Sequence, residues 1–457
     1  AGPGQCADTY MRTWKVFEWS TCGTTSAIWE EIQMIDVIDE EGPVILNPVE
    51  DFLASTTNHE CIGMVYMDSI AAVDACGVVD KITITYPDGP VLEQNGGWIE
   101  LPIGVNEVIY KVYDQCHRLT ADTVIVTVED LTAPVAICNQ HTAVGLTNDG
   151  HAYVAATVFD DGSYDECNLE RMLVRRMFPN ADCGSCDAPI FSGFTALGTY
   201  DGHHYYLSDK KLSGRLAKKH SVAMGGYGVS LETAAERTWL EGEVPGGINY
   251  YVGLHSNGGS TYTWASGSSL SSSVTTPDDE LDGEEFVYFD YDDENWISED
   301  GLDEYRYVIE IAEDCWYSEY TSFCCDDIGA EGDSNMVVFR VIDAACNFNE
   351  CMVDVDVQDK IGPVVSAPND ETIDCEVPLS ESDLLAYEDH LEVYDNCGYT
   401  TDIVIDTTNL LCDVEYKITY TVTDDGGRTS TDSHTILHDY SRDIDANDFN
   451  VTNIGDV

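Results

Sequence analysis

The strongest constraint in this sequence is a short pattern that recurs three times along the chain. Asp, three further residues, Pro and then small apolar residues occur at Asp39–Pro43, Asp130–Pro134 and Asp359–Pro363. Each copy follows a strand-like segment in which apolar and polar residues alternate, as in Val353–Val357. A proline here stiffens the connection and keeps it out of a helix. The pattern therefore marks junctions between β domains.

Two further marks recur in the same order between these junctions. One is an Asp-x-Cys turn, found at Asp74–Cys76, Asp165–Cys167 and Asp395–Cys397. The other is an acidic turn that closes each interval, at Val112–Cys116, Val341–Cys346 and Val422–Gly427, with a related segment at Phe17–Gly23. Three marks in a constant order indicate an internal repeat rather than chance similarity.

The spacing of the junctions predicts the size of each repeat. The three junction aspartates lie 91 and 229 residues apart, and Asp439, which ends a similar strand without the proline, lies 80 residues further on. Intervals of this shorter length suit a small β-sandwich. The middle interval has about 140 extra residues, which is the size of a separate domain. Short strands rich in Val, Ile, Thr and Tyr favour Ig-like sandwiches.

We therefore predict a mainly β fold: tandem Ig-like β-sandwiches in a rod, one of which carries an inserted α+β domain. Residues 1–38 form the C-terminal part of one repeat, and residues 440–457 begin a further one. Complete repeats span 39–129 and 359–439, and a split repeat, at 130–189 and 316–358, surrounds an insert at 190–315.

Composition narrows the function. The chain has 20 Lys and Arg against 85 Asp and Glu, so its formal net charge is −65. This charge repels phosphate backbones and anionic lipids, which excludes nucleic-acid binding as the main activity. No apolar run reaches the roughly 18 residues that would span a membrane. Seventeen cysteines, with a single Cys-x-x-Cys at Cys183–Cys186, favour disulfides formed in an oxidising compartment over a metal cluster.

The repeat marks resemble a known module. Three patterns resemble those of hyalin-repeat (HYR-like) modules. They are the junction pattern, the Asp-Asn-Cys-Gly turn at 395–398 and the Thr-Asp-x-x-Gly type of turn that ends a repeat. Phe159–Cys167 and Phe323–Cys325 resemble, more narrowly, the HYR-like arrays of very large surface adhesins of gliding Gram-negative bacteria. The resemblance covers nearly all the chain outside the insert. It implies export by the type 9 route and display as an outer-membrane-anchored filament on the bacterial cell surface.

The insert follows a different pattern from the repeats. Leu212–His220 has apolar residues at helical spacing, Gly225-Gly226 is a helix stop, and Thr233–Glu236 is a capping box that opens a second helix. The segments that resemble C-type lectin-like signatures are His204–Ser208, Ala217–Lys219, Gly226–Thr233 and Tyr251–Leu254. The resemblance implies that the insert is an α+β C-type lectin-like domain.

The insert departs from that family in two ways. The usual first cysteine falls at Ser221, so the long core disulfide is missing. The usual calcium and sugar motifs lack a clean counterpart, because their regions correspond to Asp290–Trp296 and Cys315–Ser318. The fold then serves as a scaffold that presents a variable loop, at about 256–300, as its contact surface.

Clusters of acidic residues are candidate calcium sites, because calcium prefers several hard oxygen ligands around a tight turn. One group is Asp160, Asp161 and Asp165, and a second is Asp290, Asp292, Asp293 and Glu294. The alternative for both is a solvated acidic turn. The junction aspartates Asp39, Asp130 and Asp359 either hold calcium between repeats or cap turns.

Four disulfides are predicted from position. Cys138 follows the first strand of the split repeat and Cys351 lies in its last strand, so adjacent first and last strands allow them to bond. The pairs predicted within repeats are Cys61–Cys76, Cys375–Cys397 and Cys6–Cys22. Ser69, Thr123 and Thr407 fit the Asp-Ser/Thr-apolar pattern that the resemblance implies for O-glycosylation.

These features predict a structural and adhesive surface protein whose lectin-like lobe contacts a surface, a glycan or neighbouring filament proteins. We do not expect an enzyme, because no histidine lies in a recognisable nucleophile context and no phosphate-binding loop follows a strand. The alternative is a calcium-dependent carbohydrate-binding receptor on a stalk of repeats. A third hypothesis is a self-associating filament subunit, which an exposed aromatic surface at Tyr288, Phe289, Tyr291 and Trp296 would favour.

Overall fold

The computed structural model describes residues 6–19, 21–22, 25–75, 77–184, 187–257, 261–268, 270, 277, 284–312, 315–329, 335–374, 376–411 and 413–439. The described residues form two compact units. One unit contains the described residues up to Pro134, together with Tyr164–Glu170 and Asp343–Asn347. The other unit contains the remaining described residues. The predicted mainly β fold class is confirmed. No described helix is long and apolar enough to cross a membrane.

The first element is a long antiparallel hairpin. It consists of β1 (Ala7–Trp19) and β2 (Thr25–Ile38). Asp39 follows β2, and its N–H donates to the carbonyl of Cys6 at 3.1 Å. This hydrogen bond closes the hairpin at the end where the chain enters the next repeat.

The first complete repeat is a β-sandwich. Its strands are β3 (Val44–Ile45), β4 (Phe52–Ser55), β5 (Ile62–Met67), β6 (Ala72–Val73), β7 (Val79–Thr85), β8 (Gly97–Pro102), β9 (Gly104–Asp114) and β10 (Leu119–Glu129). The main sheet has the order β4-β10-β9-β7, and β5 pairs with β8 and β3 with β6. Val124, Val126 and Val128 alternate into the core, as the period of two in a strand requires.

The next repeat begins before the insert and is completed after it. The strands β11 (His141–Gly145), β12 (His151–Ala155) and β13 (Leu169–Arg176) precede the insert, with single 3-10 turns at Ala156–Val158 and Ala181–Cys183. These strands find their partners only near the end of the split repeat.

The insert is an α+β domain whose described residues form two helices and a nine-stranded sheet. Its elements are β14 (Phe194–Tyr200), β15 (His203–Ser208), β16 (Leu212–Ser213), α1 (Gly214–Ala223), β17 (Tyr227–Gly228), α2 (Ala234–Glu243), β18 (Tyr250–Asn257), β19 (Thr263–Trp264), β20 (Glu284–Asp290), β21 (Asn295–Glu299) and β22 (Glu304–Ile311). The sheet has the order β14-β15-β22-β18-β20-β21, and β16, β17 and β19 pair at its sides.

Both predicted helices are present. The first begins at Gly214 rather than Leu212, because Leu212 and Ser213 pair with β22. A Cβ at Gly214 would lie 2.5 Å from a ring carbon of Phe286, so only glycine fits this approach. The helix ends before Gly225, whose φ is +87°. At α2, the Thr233 hydroxyl accepts from the Glu236 N–H at 3.1 Å, which confirms the predicted cap.

After the insert, β23 (Tyr320–Cys324), β24 (Val337–Asp343) and β25 (Phe348–Gln358) complete the split repeat, with a 3-10 turn at Cys325–Asp327. Its main sheet has the order β11-β25-β24-β13, and β12 pairs with β23. The strand β11 is parallel to β25, just as β4 is parallel to β10 in the preceding repeat. The first long strand of each repeat thus lies beside its last strand.

The last described repeat has the same arrangement. Its elements are β26 (Val364–Ser366), β27 (Glu371–Asp374), α3 (Glu381–Leu385), a 3-10 turn at Ala386–His390, β28 (Glu392–Tyr394), β29 (Tyr399–Asn409), β30 (Val414–Asp424) and β31 (Thr429–Asp439). The main sheet is β27-β31-β30-β29, with β27 parallel to β31, and β26 pairs with β28. The main sheets of the three repeats therefore share one strand order.

The structure contains the Cys138–Cys351 disulfide and also joins Cys183 to Cys324. The other three predicted pairs are wrong. The observed bonds are Cys6–Cys116, Cys61–Cys167 and Cys325–Cys397. Cys22 keeps a free thiol in the turn of the hairpin. Cys76 is predicted to pair with Cys61, and Cys375 with Cys397. Both Cys76 and Cys375 lie outside the described residues.

The reason for these errors is geometric. Cys6 and Cys22 lie at opposite ends of β1, whose 13 residues extend by roughly 40 Å, whereas bonded cysteines have Cα atoms within about 7 Å. In each of the three observed bonds, one cysteine belongs to one predicted repeat and its partner to the next. A choice of the partner nearest in sequence misses such bonds.

Candidate metal centres at the repeat junctions

The structure brings aspartates together at each of the three junctions. We call these sets the first, second and third carboxylate clusters. They contain, in that order, Asp39, Asp74 and Asp114; Asp130, Asp165 and Asp343; and Asp359, Asp395 and Asp424. Each cluster has one residue from the junction, one from the Asp-x-Cys turn and one from the close of the repeat. The three sequence marks therefore meet at one place.

The closing aspartates are held in the same way in all three clusters. Asp114, Asp343 and Asp424 each end a strand, and their side chains are almost completely buried. One oxygen of each, Oδ1, accepts from the backbone N–H four residues later, at 2.8, 2.7 and 2.6 Å. This bond fixes the carboxylate against the turn between the last two strands.

Two of the three junction aspartates, Asp130 and Asp359, cap turns, which is one of the two predicted roles. Oδ1 of Asp130 accepts from the Thr132 N–H at 3.0 Å, and Oδ1 of Asp359 accepts from the Ile361 N–H at 2.9 Å. The junction backbone is held as well, because the carbonyls of Asp39, Asp130 and Asp359 accept from the side chains of Arg118, Asn347 and Arg428 respectively. The cap uses only one of the two carboxylate oxygens.

Two of the three turn aspartates, Asp165 and Asp395, are fixed by the Asp-x-Cys sequence itself. Oδ1 of Asp165 accepts from the Cys167 N–H at 2.8 Å, and Oδ1 of Asp395 accepts from the Cys397 N–H at 2.9 Å. Both cysteines are bonded to a cysteine of the preceding repeat. The disulfide thus holds the turn that carries the carboxylate.

A buried oxygen remains unpaired in every cluster. Among the described residues, no hydrogen-bond partner reaches Oδ2 of Asp39, Asp114, Asp130, Asp165, Asp359, Asp395 or Asp424. The side chains of Asp39, Asp114, Asp130, Asp359 and Asp424 are more than nine-tenths buried. Burying a carboxylate oxygen without a partner is strongly unfavourable.

The carboxylates of each cluster also repel one another. Carboxylate oxygens of Asp39 and Asp114, of Asp130 and Asp165, and of the whole third cluster approach within 4.8 Å. At an effective dielectric constant of about 20, two unit charges at this distance repel by roughly 3 kcal/mol. An arrangement with fixed positions, unpaired oxygens and strong repulsion is stabilised by a cation.

The pKa values show this repulsion. Burial, followed by the charges of Asp130 and Asp165, raises the pKa of Asp343 to about 6 against the opposing effect of its bonds to Asn347. Burial is also the main cause that raises the pKa of Asp165 and of Asp395, with neighbouring carboxylates contributing in both. The second and third clusters therefore disfavour the presence of all their negative charges without a counter-ion.

The residues of the first predicted calcium group divide between two environments. Asp165 belongs to the second cluster. Oδ1 of Asp160 accepts from the Ser163 N–H at 2.8 Å, and the backbone N–H of Asp161 donates to the Ile137 carbonyl at 2.9 Å. Within the described part of the chain, neither Asp160 nor Asp161 belongs to a group of three converging ligand atoms.

The second predicted group lies on the turn between β20 and β21. Oδ1 of Asp290 accepts from the N–H groups of Asp292 and Asp293, and Oδ2 accepts from the Asn249 side chain at 3.2 Å. Asp292, Asp293 and Glu294 are exposed. Asp290 therefore stabilises the turn, and calcium at Asp290–Glu294 stays a prediction.

Two other sequence expectations concern surfaces. Ser69, Thr123 and Thr407 are exposed, and their glycosylation stays a prediction. Of the four aromatic residues considered for self-association, Tyr288, Phe289 and Trp296 are buried and only Tyr291 is exposed. Most of that aromatic set is core, which removes the support for self-association through it.

One further group of potential ligands has another explanation. Cys183 and Cys324 lie close to Asp327, but the two cysteines are bonded to each other. Asp327 forms a buried bidentate pair with Arg176, at 2.8 and 2.9 Å. Its charge is therefore compensated by the guanidinium, unlike the carboxylates at the junctions.

No protein-family model matches this chain, and no curated protein is similar to it in sequence. The C-type lectin domain of murine dendritic cell inhibitory receptor 2 is similar over 27% of this chain and 98% of that domain, with 18% identity and a TM-score of 0.23. Extracellular cadherin domains 1–4 of protocadherin gamma B7 are similar over 94% of this chain and 92% of theirs, with 8% identity and a TM-score of 0.25. Domains EC1–4 of Drosophila N-cadherin show 8% identity, a TM-score of 0.19 and coverage of 94% and 83%.

At these identities and TM-scores, the similarities do not assign a function. The class of the molecule follows from its own features: a disulfide-bonded array of β-sandwich repeats, one of which carries an inserted α+β domain. Its disulfides indicate an oxidising, extracellular environment.

Proposed function

We propose that this chain is part of an extracellular structural and adhesive protein, in which the β-sandwiches provide reach and the inserted domain makes contacts. The observation that carries the proposal is the set of disulfides Cys6–Cys116, Cys61–Cys167 and Cys325–Cys397. Each joins two consecutive repeats, whereas a disulfide that only stabilised one fold would lie within it. Bonds between repeats resist the separation of neighbours under tension.

The strand arrangement supports the same role. The first and last long strands of each repeat are parallel neighbours, as in β4 with β10 and β27 with β31. Tension applied at the two ends of such a repeat loads the hydrogen bonds between these strands in shear. Shear acts on all of these bonds together, so the repeat resists unfolding more than one whose bonds break in sequence.

The resemblance to HYR-like modules adds a finer proposal. The chain belongs, on this proposal, to a filament on the surface of a gliding bacterium, exported by the type 9 route and anchored at the outer membrane. Its partners are a glycan or surface ligand, or neighbouring filament proteins, and it has no catalytic role.

Adhesion can be tested with beads that carry the whole chain through a terminal tag. The beads are passed over plain glass, glass coated with mixed glycans and glass coated with the same chain. We expect retention under flow above that of beads carrying reduced and denatured chain. Retention no greater than that of the beads with denatured chain, on all three surfaces, would show that the chain is not adhesive.

A second function, calcium-dependent glycan binding by the inserted domain, is favoured by one groove. Tyr291 and the aliphatic Pro245 and Ile248 line it, with the carboxylates of Glu241 and Glu294 beside them. An aromatic face next to carboxylates suits the apolar face and hydroxyls of a sugar. A glycan array with and without chelator tests it: glycan binding that Tyr291→Ala abolishes supports this function, and binding unchanged by that variant contradicts the groove as the site.

A further inference from the structure

We propose that each of the three carboxylate clusters binds one calcium ion. This goes beyond the adhesive function and does not depend on it. The proposal assigns sites to Asp39, Asp114 and their counterparts in the second and third clusters, where the three marks of the repeat meet.

The first argument is that the oxygens are positioned for a ligand they do not have within the chain. In the third cluster, Asp359, Asp395 and Asp424 each use Oδ1 to accept from a nearby N–H and leave Oδ2 buried and unpaired. The pattern repeats with Asp130 and Asp165 in the second cluster and with Asp114 in the first. A hydrogen-bond network that fixes one oxygen and spares the other in three separate places is a preorganised acceptor set.

The second argument is that the neighbouring cations of the chain are used elsewhere. Arg118 and Arg428 lie next to the first and third clusters, but both donate to the backbone carbonyl of the junction aspartate. Asn347 occupies the same position at the second cluster and is uncharged. Because the uncharged Asn347 makes the same hydrogen bond as the two arginines, the function of this position is to hold the junction backbone. It does not neutralise the carboxylates.

The third argument concerns which metal fits. The sulfur atoms near the first two clusters belong to Cys116 and Cys167, which are in disulfides and cannot act as thiolate ligands for zinc. What remains is an all-oxygen set of carboxylates. Calcium takes six to eight oxygen ligands in a tolerant geometry, whereas magnesium is usually held by one or two carboxylates and keeps its waters, so a set of converging carboxylates suits calcium best.

Calorimetry on the whole oxidised chain, freed of metal with chelator, tests the proposal. Calcium is titrated at pH 7.5 in 150 mM NaCl with 1 mM magnesium, so that diffuse attraction to a strongly acidic surface is screened. We expect three ions per chain. The variants Asp39→Asn, Asp130→Asn and Asp359→Asn each replace one charge without changing shape, and each should lower the number to two. Asp389→Asn, at an exposed position outside the clusters, should leave three.

Stability provides a readout that does not depend on counting ions. With chelator present, each cluster variant should unfold at the same or a higher urea concentration than the parent chain, because a repulsive charge is removed. With 2 mM calcium the order should reverse, because the variant lacks a ligand. Asp389→Asn should show no such reversal. A variant that is destabilised equally in chelator and in calcium would overturn the proposal for that cluster, as would a calcium stoichiometry that the three variants leave unchanged.

Discussion

The disulfide connectivity makes a quantitative prediction about stretching. From Cys6 to Cys397 the backbone contains about 390 residues, which extend to about 1,350 Å when fully drawn out. Three disulfides offer a shorter covalent path: Cys6–Cys116, Cys138–Cys351 and Cys325–Cys397. That path crosses only about 50 backbone residues, or about 170 Å. The oxidised chain should therefore extend by about 1,200 Å less than the reduced chain.

Single-molecule force spectroscopy with handles at the two ends of the chain measures this difference. The segments outside Cys6 and Cys397 add the same length in both states and cancel. We expect short, stiff extensions in oxidising buffer and a gain of about 1,200 Å in total contour length after a reductant is added. In the oxidised chain the three connecting bonds bear the tension, and the parallel strand pairs of the repeats bear it once those bonds are reduced.

Single substitutions give the matched controls. Cys116→Ser forces the path through Cys61–Cys167 and Cys183–Cys324 and should lengthen the oxidised chain by about 80 Å. Cys22→Ser, which removes a free thiol, should change nothing. Equal contour lengths in the oxidised and reduced states would refute the connectivity on which the structural function is argued.

Three further predictions concern the interior. Arg176→Met leaves Asp327 buried without its partner and should lower the free energy of unfolding of the split repeat by about 3–5 kcal/mol, measured by urea denaturation; a loss under about 1 kcal/mol would contradict the pairing. Burial lowers the pKa of His220 to about 3 in the folded chain. Below the ordinary histidine pKa of about 6.5, the unfolded chain therefore binds a proton that the folded chain does not, and the free energy of unfolding falls by up to about 1.4 kcal/mol per pH unit as the pH drops towards 4. His220→Gln should remove this part of the pH dependence, and a variant with the same pH profile as the parent chain would refute it. Thr233→Ala removes the cap of α2 and should cost about 1 kcal/mol, while Thr233→Ser should stay within a few tenths, as hydrogen exchange of the helix amides reports.

The sequence predicts the repeats well because the Asp-x-x-x-Pro junction is a local signal. It combines an alternating strand with a residue that stops it, and both act over fewer than ten residues. The Thr233 cap and the Gly225 stop are predicted for the same reason: each depends on contacts within one turn of helix. Leu212 is the exception, since its pairing with a strand near residue 305 overrides a helical pattern.

The clusters are a different case. All three marks that form them can be read in the sequence, and every mark contains an aspartate. What the sequence does not show is that neighbouring marks 29 to 178 residues apart meet in space, because that depends on how the strands pair. The signal that identifies the site is the repetition itself. Three aspartates that recur in the same order in every repeat indicate that they act together at one site.

The prediction of three of the disulfide pairs is wrong for a related reason. Cys61 lies close in sequence to Cys76, and Cys397 to Cys375, so proximity along the chain favours pairs within a repeat. The structure bonds Cys61 and Cys397 to cysteines of a neighbouring repeat, at separations of 106 and 72 residues. Only knowledge of which loops lie at a junction identifies these partners.

The parallel pairing of first and last strands also governs when each repeat can fold. During synthesis, β11 emerges first and must wait for β25, whose paired residues lie more than 200 positions later. The insert completes its own sheet within residues 194 to 311 and therefore folds before the repeat that surrounds it. Pairings so distant in sequence form slowly, and they leave strand edges exposed in the meantime. The growing chain thus depends on its inserted domain to bring the two halves of the split repeat close enough to join.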